Sequence, residues 1–110
     1  MNKNVEEKIS QLQIIEQNLQ EFFLQKQNFQ NQLMEVNAAL EELNKSKDDC
    51  YKLIGNIMFK EEKGTLIKDL NNKKDILELR IKNIEKQEKK IKEQATSLQK
   101  EVVSSMKNDK

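Results

Sequence analysis

Over the first 44 residues the apolar side chains recur at alternating intervals of three and four. That spacing lays a narrow stripe along a helix, the seam of a coiled coil, and not the broad face of a globular helix. Placing Val5, Leu12, Leu19, Lys26, Leu33 and Leu40 at a positions puts Lys8, Ile15, Phe22, Phe29, Val36 and Leu43 at d, and ten of these twelve are apolar. The spacing resumes with Ile67, Lys74, Ile81, Glu88, Ala95 and Val102 at a and with Leu70, Leu77, Ile84, Ile91, Leu98 and Ser105 at d, nine of twelve being apolar. Two helices are predicted, over about residues 4–46 and 64–108, and at about 1.5 Å rise per residue each spans on the order of 65 Å. Matched lengths let the chain fold back on itself, so that a and d residues whose numbers sum to about 110 meet: Leu40 with Leu70, Leu33 with Leu77, Leu19 with Ile91, Leu12 with Leu98. The expected fold is mainly α, a long antiparallel two-helix coiled coil in a single domain over residues 1–110.

The composition agrees. The chain has no proline or histidine, two glycines, and 35% charged residues, the profile of long helices. With 35% hydrophobic and 5% aromatic residues it cannot build a thick core, so burial must come from helix seams or from other subunits. Polar residues interrupt the seam at Lys26, Lys74 and Glu88, where long stems can snorkel to solvent while their polarity fixes the register.

Net charge is +1, which offers no electrostatic ground for binding nucleic acid or an anionic membrane. The halves differ: residues 1–44 carry three lysines against seven glutamates, while residues 63–110 carry thirteen basic against eight acidic residues. Helices of opposite sign attract. The cluster Lys89, Lys90 and Lys92 is interleaved with Glu85, Glu88 and Glu93 and has no aromatic neighbour, so it reads as a solvated face turned to an acidic partner helix. The N-terminus MNKNVEEKIS lacks a signal-peptide apolar run and no stretch suits a membrane span, so the expectation is a cytoplasmic protein. Without histidine, a glycine-rich phosphate loop or ligands at metal spacing, neither catalysis nor a cofactor is expected. Cys50 has no partner for an internal disulfide, and Asp48 and Asp49 disfavour its thiolate.

Between the helices lies Y-K-L-I-G-N-I-M-F-K, residues 51–60. Tyr51, Leu53, Ile54, Ile57, Met58 and Phe59 are strand-forming side chains around the two-residue turn signal Gly55-Asn56, which predicts a β-hairpin over about residues 50–61. A lone hairpin with apolar residues on both faces and two open edges is marginal in water, and hairpins of neighbouring chains could pair with it edge to edge in a closed intersubunit barrel. It is therefore an expected assembly element. The alternative is a connector that merely bends the chain.

A single hairpin of pattern Y-K-x-x-G-x-hydrophobic-x-hydrophobic-K between matched coiled-coil helices resembles the β-type subunit of prefoldin. AALEELNK at Ala38–Lys45 and KNIEKQEKKI at Lys82–Ile91 are also similar to segments of that family, and the likeness spans nearly the whole chain. The resemblance implies a hexamer of two α-type and four β-type subunits on a double β-barrel platform. Coiled coils projecting from the platform hold non-native client proteins at their tips, without ATP, and deliver them to a group II chaperonin in the cytosol.

Both chain ends fall at the expected tip, where helices fray. Candidate client-binding residues there are Val5, Ile9, Leu12, Ile14, Ile15, Leu98, Val102, Val103 and Met106. Flexible aliphatic and methionine side chains suit promiscuous binding. For the seam residues among them, completing the coiled coil is the competing role, whereas Ile14 at a c position and Val103 at a b position lie off the seam. The competing function is a coiled-coil tether or scaffold subunit that holds no client.

Overall fold

The computed structural model describes the backbone of residues 3–108 and the side chains of residues 3–107. Helix α1 runs Lys3–Lys45, strands β1 and β2 run Cys50–Ile54 and Ile57–Glu61, and helix α2 runs Lys63–Asn108. Every a and d residue assigned from the heptads is buried or half-buried, while most other helical residues are exposed. So narrow a stripe explains why a chain this polar still forms long helices. Most of the stability comes from the facing seam, not from intrinsic propensity.

The chain divides into two compact units, one of residues 28–81 and one of residues 1–27 with 82–110. In the first, the hairpin unit, Val36, Leu40 and Leu77 form the core, with Phe29, Leu33, Ile67 and Leu70 packed against it. Low residue numbers of one helix face high numbers of the other, so the helices run antiparallel, and Leu77 is only 2% exposed. Above this layer the Arg80 guanidinium lies 5.6 Å from the centroid of the Phe29 ring, a cation–π contact at the rim of the seam.

In the second, the terminal unit, Val5, Ile84 and Val102 are buried. The helices are again antiparallel, because Lys8 Nζ lies 3.3 Å from Glu101 and Lys26 Nζ lies 2.8 Å from Glu88 Oε1. Lys26 and Glu88 therefore depart from the sequence expectation that each carries its charge out to solvent. They are each other's partner within the seam, and Glu88 is only 8% exposed. A charge taken out of water is costly unless paired, and here two polar a residues satisfy one another. Lys74, the third polar residue at an a position, is half-buried.

Helix α1 closes with Ser46 N donating to the Glu42 carbonyl at 2.9 Å. Lys63 Nζ donates to the Ser46 carbonyl at 2.8 Å, placing a cation at the negative end of α1 and tying together the two ends of the connector. Asp48 N donates to Ser46 Oγ at 3.2 Å and turns the chain into β1. The strands pair antiparallel in the register Cys50 with Glu61, Tyr51 with Lys60, Lys52 with Phe59, Leu53 with Met58 and Ile54 with Ile57. Gly55 has φ +60° and no other described residue has positive φ, so the two-residue turn is of the II′ type, with glycine at its first central position. This turn twists in the same sense as the strands it joins.

Candidate functional site

Directly paired residues of antiparallel strands share a face. Lys52, Ile54, Ile57 and Phe59 thus lie on one face of the hairpin, and Tyr51, Leu53, Met58 and Lys60 on the other. Both faces are apolar at their centres. All six residues expected to form the assembly element, Tyr51, Leu53, Ile54, Ile57, Met58 and Phe59, are exposed. Among the described residues the sheet has two strands, and both of its outer edges are open. At the base of the hairpin the order changes: Cys50 is buried and Glu61 half-buried, and the Cys50 thiol lies 3.8 Å from the Asp48 carbonyl oxygen.

In the terminal unit the nine candidate client-binding residues separate by burial. Val5 and Val102 are buried in the seam. Ile9, Leu12, Ile15 and Leu98 are half-buried. Ile14, Val103 and Met106 are exposed, Ile14 to 55%. Ile14 and Ile15 of α1 and Leu98 of α2 line a shallow groove of about 600 Å³ together with Gln11, Lys90, Glu93, Gln94 and Ser97. The three exposed members lie off the seam, at c, b and e positions, whereas Ile9, also off the seam at an e position, is half-buried.

Among the described residues, five further large apolar side chains are exposed that the seam and chain-end patterns do not single out. Phe23 and Leu24 lie in the terminal unit, and Met34, Ile76 and Leu79 in the hairpin unit. The signal was available. The register puts them at e, f, b, c and f, off the seam, where an apolar residue has no helix partner to face.

The described residues contain no group of three or more His, Cys, Asp or Glu able to hold a metal ion, and no helix long and apolar enough to cross a membrane. What the hairpin unit does present is a hairpin that exposes apolar side chains on both faces and two unpaired edges. The family model described as prefoldin subunit matches residues 6–108. The chain is similar to the prefoldin subunit beta of Archaeoglobus fulgidus, at 39% identity over 97 residues covering 86% of this chain and 84% of that one. It is similar also to that of Methanothrix thermoacetophila, at 36% over 104 residues, covering 93% and 87%. The crystal structure of the prefoldin beta subunit from Thermococcus strain KS-1 superposes with a TM-score of 0.89 at 31% identity, covering 94% of this chain and 93% of that one. The chain belongs to the prefoldin subunit family and is of its β type. Membership makes it a chaperone subunit that assembles with other prefoldin subunits, not a member of an enzyme family.

Proposed function

We propose that this chain is one subunit of an ATP-independent holding chaperone, a hexamer of two α-type and four β-type subunits in the cytoplasm. In this reading the hairpin joins subunits, the terminal unit holds non-native proteins, and the clients pass to a group II chaperonin. The observation that carries it is the exposure of off-seam apolar residues in the terminal unit, Ile14, Val103 and Met106, in a helix pair whose seam is already filled. A tether subunit has no use for them. Each exposed aliphatic contact contributes about 1 kcal/mol when buried against a client, so useful holding requires several contacts on several subunits acting through avidity.

The test is a light-scattering assay. The chain assembled with an α-type prefoldin subunit is mixed, without ATP, with a chemically unfolded protein diluted into buffer. Suppression of aggregation at near-equimolar complex supports the reading. An assembled complex that leaves aggregation unchanged supports the tether instead.

A further inference from the structure

We infer that Lys60 and Lys63 form a strap that holds the hairpin in one setting on the helix ends, so that it meets a neighbouring subunit already oriented. The inference rests on the assembly role proposed for the hairpin and adds how this chain readies it. The two legs that join the hairpin to the helices are unequal. Glu62 alone lies between β2 and α2, whereas Ser46, Lys47, Asp48 and Asp49 lie between α1 and β1. Each residue left free adds backbone entropy, so the longer leg is where the hairpin could swing.

The strap closes on both ends of that leg. Lys63 Nζ donates to the Ser46 carbonyl at 2.8 Å, and Lys60 Nζ lies 3.5 Å from Asp49 Oδ2. Two lysines three positions apart thus reach two residues three positions apart. They do so in the antiparallel sense of the strands, and continue the cross-links beyond Cys50 and Glu61, where the ladder ends. Both lysines line the hollow at the hairpin root together with Asp48, Asp49, Glu61 and Glu62. Four carboxylates against two ammonium groups make the potential there negative, which draws both lysines inward.

Lys63 is otherwise badly placed. It is the first residue of α2, at the helix end that carries partial positive charge, where a carboxylate is the stabilising choice. Its ammonium group sits instead at the C-terminal end of α1, where the partial charge is negative. The contact with α1 explains a lysine that α2 by itself disfavours. Lys60 and Asp49 are both largely exposed, so theirs is the weaker rung. A hairpin held in one setting loses less conformational freedom on joining a partner, and so binds more tightly through the same contacts.

The experiment compares three variants of the full chain. Lys63→Met removes the donor and keeps the apolar stem, Lys63→Arg keeps the cation, and Lys63→Glu gives α2 the charge its N-terminus favours. In the free chain, hydrogen exchange at the Asp48 and Cys50 amides is expected to quicken about tenfold in Lys63→Met and Lys63→Glu, the factor for losing one hydrogen bond from a charged donor. Exchange at Val36, Leu40 and Leu77 should not change. Titrated with an α-type prefoldin subunit on native mass spectrometry, both variants should need severalfold more partner for half-assembly, while Lys63→Arg stays near the unsubstituted chain. If Lys63 were only a helix-end residue, Lys63→Glu would assemble as well as the unsubstituted chain or better. That result overturns the strap, as does unchanged exchange in the leg or unchanged assembly of Lys63→Met. Ile57→Asp with Phe59→Asp tests the assembly role itself: if that variant still assembles, the hairpin reading fails.

Discussion

Lys26 and Glu88 occupy a positions on opposite helices and meet across the seam of the terminal unit, Nζ to Oε1 2.8 Å. The lysine side chain keeps about a quarter of its surface in water and the glutamate about a tenth, so the pair is screened only in part. Such a pair stabilises less through its own attraction than through what happens when it is broken, because the remaining charge then lies in the seam without a partner.

Lys26→Ala should therefore destabilise the chain by about 2 kcal/mol, read from urea unfolding followed by circular dichroism. Replacing both, as Lys26→Leu with Glu88→Leu, should restore most of that loss, since two apolar a residues pack without a desolvation cost. A double variant as unstable as the single one would show that the pair contributes more than relief from an unpaired charge.

The two glycines should respond in opposite directions. Gly55 has φ +60°, a conformation that costs an L-residue about 1 kcal/mol, and Gly55→Ala should weaken the hairpin by about that amount although nothing lies within 4 Å of the new Cβ. Gly64 sits in the first turn of α2 with the same open surroundings. Gly64→Ala should raise stability by about 0.5 kcal/mol, since alanine loses less backbone freedom in a helix. Matched thermal melts of the two variants check both signs.

Ile57→Asp with Phe59→Asp places two charges on one face of the hairpin. Both residues are exposed in the isolated chain, so its helical circular dichroism should persist. The complex should dissociate on native mass spectrometry, because two carboxylates cannot be buried unpaired in a subunit interface.

Exposed ion pairs such as Lys45 with Glu41 and Lys60 with Asp49 contribute little and are screened by salt. If clients are held by apolar contacts, raising salt to about 0.5 M, where the Debye length falls to a few ångströms, should reduce aggregation suppression only modestly. A collapse of holding over that range would indicate a charged client surface.

The heptads made the seam legible residue by residue, because a coiled coil buries one stripe and the stripe is written at fixed spacing. The hairpin was legible from its composition and from Gly55-Asn56. Its turn type was not, since I′ and II′ turns both accept glycine first and differ in the φ of Asn56. The Lys26–Glu88 pair was also hidden: each residue looked like an interruption of its own helix, and the alignment read from the heptads, with residue numbers summing to about 110, sets Lys26 opposite Ile84, four residues short of Glu88. The burial of Val5 and Val102 against the exposure of Ile14, Val103 and Met106 follows the register, in which the first two are a residues and the others fall at c, b and e.

Ile14→Ser, Val103→Ser and Met106→Ser, made together, test most directly whether the terminal unit holds clients. The three side chains are exposed and off the seam, so helix content and assembly with an α-type subunit should match the unsubstituted chain. Three contacts of about 1 kcal/mol each repeated on several subunits predict a large loss: at the ratio where the intact complex suppresses aggregation of a chemically unfolded protein, the assembled variant should leave most of the scattering in place. Undiminished suppression by a correctly assembled variant would contradict the account and move the client surface away from these residues.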